Sequence, residues 1–89
     1  MLDSIKLSLR ISNTAFDIEI LDLIEAAEID LMISGVNKID SEDPLIKRAI
    51  TIYVKAHFGY DHPDASRFEE SYINLKQHLS MSIDYNEVI

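Results

Sequence analysis

The chain has 89 residues, 47% of them hydrophobic, with only two glycines, two prolines, no cysteine and a formal net charge of −8. It is too apolar for a disordered tail and too poor in turn residues for a many-stranded sandwich, so the composition points to one small helical domain. The acidity argues against sequence-specific DNA reading or binding to anionic membrane, which need lysine and arginine to displace counterions, and without cysteine there are no disulfides or thiolate metal sites.

Residues 1–43 hold ten acids against three bases, so the N-terminal half is the acidic one. In DSIKLSLR, residues 3–10, Ile5 and Leu9 are spaced four apart behind Asp3 or Ser4 as a cap, which predicts a short first helix. Ser12, Asn13 and Thr14 then offer three capping side chains, and Asn13 or Thr14 is expected to start a long second helix. Along it Phe16, Ile20, Leu23, Ile24, Ala27 and Leu31 fall within an arc of about 100°, the expected core face. Ile18, Leu21, Ile29 and Met32 lie on the far side, interleaved with Asp22, Glu25 and Glu28. Either this second apolar face packs on another subunit, or its aliphatics are the scattered kind that surfaces ordinarily carry. Gly35 suits the left-handed position that ends a helix.

Asp43 followed by Pro44 is a start signal, because proline at the first helical position loses no usable hydrogen bond. A third helix is expected over 44 to about 58. Its apolar arc is broad: Leu45, Ile46, Ala49, Ile50, Ile52, Tyr53, Val54 and Ala56 leave Lys47, Arg48, Thr51 and Lys55 as a basic polar stripe. The stripe could pair with the acids of the second helix, within a subunit or between neighbours. Gly59 closes the helix, and Asp64, or His62 before Pro63, opens a fourth with Phe68, Tyr72, Leu75 and Leu79 as its apolar stripe. SIDYNEVI, residues 82–89, has no helical period. Such a tail could fray, lie along its own core, or add to a partner as an extended segment. The expectation is all-α: a small bundle of three main helices plus a short N-terminal helix, a single domain over 1–81, and an extended C-terminal tail over 82–89.

AHFGYDHPDASRF, residues 56–68, gathers His57, Asp61, His62 and Asp64. As a metal site its spacing is poor, since helical zinc sites use two histidines four apart on one face and this chain has no such pair. By its helical position His57 is expected to pack toward the apolar arc without metal, with His62 and Asp64 in a solvent-facing corner. No GxSxG elbow or glycine-rich phosphate loop occurs, and the pair Glu69 and Glu70 falls on the solvated side of the fourth helix. Arg67, Lys76 and Gln77 beside those glutamates are too little positive charge for a recognition helix in a DNA groove. We therefore expect no enzyme, no cofactor and no metal. No signal-peptide pattern is present and the apolar runs fall far short of the roughly 20 residues that cross a bilayer, so a soluble protein made in a cytoplasm is expected.

DLIEAAEIDLMISGV at 22–36, with DPLIKRAITIYVKAHFGYDHPDASRFEESYINLKQHL at 43–79, resembles the small head-tail connector proteins of tailed bacteriophages, of the DNA-packaging adaptor type found in phages and prophages of Gram-positive hosts. The elements that carry the resemblance are the LIEAA turn with its terminal glycine, the DP-opened helix ending in VKAHFG, and the aromatic-anchored last helix ending near LKQHL. It implies a structural virion protein at the head-tail interface, present in the host cytoplasm during assembly. Copies would form a ring, twelve-fold by expectation, below the portal protein, extending the DNA channel and offering a docking surface to the next head-completion or tail protein. No residue role transfers with it.

For such a role the candidate subunit-interface residues are Ile18, Leu21, Ile29, Met32, Lys47, Arg48, Lys55, Tyr85, Val88 and Ile89, and the candidate channel-facing acids are Asp22, Glu25 and Glu28. About twelve copies at −8 each would carry roughly −96 formal charges, a surface that lets DNA pass without specific binding. The rival expectation is an acidic helical regulator or DNA mimic on a host protein, which would need carboxylates spaced like phosphates.

Overall fold

In the computed structural model, which describes residues 1–59, 62–82 and 84–85, four helices follow one another: α1 Leu2–Leu9, α2 Asp17–Ile33, α3 Pro44–His57 and α4 Ala65–Met81. No strand occurs among the described residues. The fold is all-α, three main helices plus a short N-terminal one.

α3 is the element the others pack on. The Asp43 carboxylate accepts the Leu45 N–H at 2.8 Å and the Ile46 N–H at 3.3 Å, and Pro44 follows at the first helical position, so the helix begins where local chemistry prescribes. Its Ile46, Ala49, Ile50 and Val54 are wholly buried. They form one core with Ile5 of α1, Ile20, Ile24, Ala27 and Leu31 of α2, Val36, and Tyr72 and Leu79 of α4. Each fully buried isoleucine or leucine contributes about 1.5–3 kcal/mol relative to exposure. The apolar arc of α3 is narrower than expected: Ile52, Tyr53 and Ala56 are half-buried and Leu45 is exposed at the mouth of the helix.

α2 starts at Asp17 behind Phe16 as its N-cap, two or three residues later than a cap at Thr14 or Asn13 would set it. Asn13 Oδ1 accepts the Ala15 N–H at 3.0 Å and the Asp17 N–H donates to the Thr14 carbonyl at 3.2 Å, so residues 13–16 spend their polar groups on a turn. Phe16 consequently stands at the helix mouth, exposed but edge-on to Phe58 at 5.5 Å, not in the core. At the other end Gly35 takes φ 99°, with Val36 N–H donating to Leu31 O at 2.9 Å and Gly35 N–H to Met32 O at 3.1 Å. The turn folds Val36 back beside Leu31, and both are fully buried. α1 ends the same way, but with Arg10 in the left-handed position at φ 61°.

Two ties across the fold have no local sequence signal. Lys6, nearly buried, places Nζ 2.8 Å from Asp17 Oδ1, an ion pair joining α1 to α2, although no hydrogen-bond donor among the described residues is well aligned on that buried oxygen. Asp30 of α2 accepts from the Tyr72 hydroxyl at 2.6 Å and from Lys76 Nζ at 3.0 Å, which joins α2 to α4. Beyond α4 the chain leaves Ser82 in an extended conformation and turns through Asp84 and Tyr85.

Candidate functional site

Four residues of α2 are buried against the core, and its opposite side is unusually apolar for a solvent face. Ile18 is 78% exposed, Leu21 48%, Ile29 50%, Met32 59% and Ile33 80%. Ile33 extends the patch beyond what the sequence reading included. At 100° per residue, Ile18, Leu21, Asp22, Glu25, Glu28, Ile29 and Met32 occupy one arc of about 120° with Glu25 at its middle. Asp22 and Glu25 are exposed and Glu28 half-buried. The aliphatics expected to meet a neighbour and the acids expected to face a channel therefore share a single helix face. Asp30 is apart from them, engaged by Tyr72 and Lys76.

A second surface lies on α3. Lys47, Arg48, Thr51 and Lys55 sit within about 100° of arc, turned away from the core stripe. With Ser4 and Ser8 of α1 and Phe68 and Ser71 of α4 they line an open groove of ≈ 520 Å³. None of its three bases is in an ion pair among the described residues; the pairs there are Lys6–Asp17, Arg67–Asp64 and Lys76–Asp30. The acids of α2 and the bases of α3 thus do not meet inside the subunit. Lys55 Nζ lies over the Phe68 ring, 5.7 Å from its centroid.

Tyr85 is half-buried on its own subunit. Its hydroxyl donates to both Asp43 oxygens, at 3.1 and 3.0 Å, and its carbonyl accepts the Asn37 and Lys38 N–H groups at 2.9 and 3.2 Å. This ties the start of the tail to the loop before α3. Val88 and Ile89 lie outside the described residues.

The described residues of the histidine-rich corner have separate partners. His57, expected to be packed, is exposed; it stands at the last position of α3 with the Tyr53 ring 4.3 Å away, centroid to centroid. His62 does not face solvent freely: its Nε2 lies 3.0 Å from the Lys55 carbonyl oxygen, to which it donates when protonated there. Asp64 is exposed at the mouth of α4 and pairs with Arg67 at 3.2 Å, while Asp61 lies outside the described residues. Among the described residues no group of three or more His, Cys, Asp or Glu side chains could hold a metal ion, and no helix is long and apolar enough to cross a membrane.

A family model described as phage connector protein matches residues 1–86. The chain belongs to the phage connector protein family. No curated protein and no solved structure matches it. Connector membership makes it a structural component of a bacteriophage, at the junction of head and tail.

Proposed function

We propose that this protein is a head-completion adaptor: copies assemble into a ring beneath the portal protein, extend the DNA channel and present a docking surface to the next head or tail component. The reading is carried by the outer face of α2, where five aliphatic side chains are about half or more exposed along one helix. A monomer gains nothing from that arrangement, whereas a ring subunit must bury different faces of itself against two neighbours. The acidity fits the same role. DNA sliding through a tunnel of net negative subunits finds few cations to bind its phosphates. Because the α2 acids alternate with exposed aliphatics, they do not form the continuous anionic surface that a DNA mimic needs. The proposed work is non-enzymatic, with no cofactor.

Phage lacking this chain should accumulate DNA-filled heads alongside free tails, and purified protein added to that lysate should restore joined, infectious particles. Undiminished tailed particles in its absence would contradict the proposal.

A further inference from the structure

The outer face of α2 cannot pair with a copy of itself without cost. A two-fold contact would set Asp22, Glu25 and Glu28 of one chain against the same acids of the other, and like charges facing each other suppress a contact. The face needs a partner that is apolar in the middle and basic around it. This chain carries such a surface: the α3 groove offers Phe68, Ile52 and Pro44 for aliphatic contact and Lys47, Arg48 and Lys55 for the carboxylates, with Glu42 the one acid among its described lining residues. Its bases have no acid partner among the described residues of the subunit.

We propose that the outer face of α2 docks in the α1–α3–α4 groove of the next copy of the same chain. The contact joins two different faces, so it runs head to tail and closes into a ring when the rotation per subunit permits. Ile18, Leu21, Ile29 and Met32 supply the apolar burial. The charges choose partner and register more than they add strength. Asp22, Glu25 and Glu28 then belong to the subunit contact, and the channel draws its acidity from other residues. The contact rests on the adaptor reading for its biological setting, but is tested separately from it.

Two charge-reversed proteins suffice: Asp22→Lys with Glu25→Lys on α2, and Lys47→Glu with Arg48→Glu on α3, each confirmed as helical and cooperatively folded. Sedimentation velocity should find wild-type oligomers whose population rises with protein concentration. Each variant alone should lose the oligomer, although the α2 variant is the less acidic protein and general repulsion within it is weaker. Mixed in equal amounts, the two variants should regain it, because in an alternating ring every α2 face again meets a groove of opposite charge. Wild-type-like assembly of either variant alone, a mixture that stays monomeric, or a wild type that never associates would overturn the contact. The adaptor reading would still be decided by the phage lacking this chain, whose head and tail phenotype does not depend on which faces meet.

Discussion

The Tyr72 hydroxyl donates to Asp30 Oδ2 at 2.6 Å, a bond between residues 42 apart in sequence that fastens α4 to α2. Tyr72 is 3% exposed, so its hydroxyl has little water to turn to if Asp30 is lost. Tyr72→Phe removes the donor and leaves Asp30 with Lys76, and should cost about 1–2 kcal/mol in urea-induced unfolding. Asp30→Ala should cost more, because it strands both the Tyr72 hydroxyl and the Lys76 ammonium.

The same bond makes stability depend on pH at both extremes. Burial pushes the Asp30 carboxyl up, but hydrogen bonds from Tyr72 and Lys76, with the Lys76 and His57 charges, more than offset this and hold it below its ordinary value. The unfolded chain therefore takes up that proton first as the pH drops below about 4. Stability should fall from there through the folded-state value. Tyr72 is pushed far up by burial and by the Asp30 hydrogen bond and charge, and Tyr53 is raised by burial and by the Asp30 and Glu69 charges. Here the unfolded chain loses its protons first, so stability should also fall as the pH rises past about 10. Melting temperatures from pH 2 to 11 should form a plateau with two falling edges, and Tyr72→Phe should soften both.

Lys6 and Asp17 should respond asymmetrically to substitution. Asp17→Ala leaves a nearly buried ammonium without its counter-charge, at about 1–3 kcal/mol after allowing for the partial exposure of the pair. Lys6→Met in turn leaves the Asp17 carboxylate without its cation, but that side chain is the more exposed of the two, so the loss should be smaller. Equal losses in the two thermal melts would mean that the ion pair itself, not the buried charge, carries the effect.

Arg10 holds φ 61° at the end of α1, where glycine rests without strain. Arg10→Gly should stabilise the fold by about 0.5–1 kcal/mol, since relief of the left-handed strain outweighs the extra freedom of glycine in the unfolded chain. Gly35→Ala, at φ 99°, should do the reverse. Chemical denaturation of the two variants side by side checks both signs.

Where structure follows from neighbours in sequence, it was legible. Asp43 and Pro44 start α3, Gly35 ends α2, and the 3.6-residue period selected Ile20, Ile24, Ala27 and Leu31 for the core. The resemblance to connectors likewise rested on such packing patterns. Asn13 misled because its side chain can serve a turn as well as a helix mouth, and here it serves the turn. His57 misled because a helical wheel gives direction but not what lies in that direction, and at the last position of α3 little covers it. The Asp30–Tyr72–Lys76 link was invisible because it depends on how two helices distant in sequence cross. The candidate interface was half legible: its residues could be named, but only the fold puts the α2 acids and aliphatics on one face and opens the α3 bases into a groove.

The central claim, that this chain is a ring-forming adaptor between head and tail, is most directly tested by a cryo-electron microscopy map of the intact virion's head-tail junction at side-chain detail. The account predicts a closed ring of copies of this four-helix fold directly below the portal, each with the outer face of α2 against its neighbour. A junction whose density is fully accounted for by other chains, with this protein absent from it, would contradict the account.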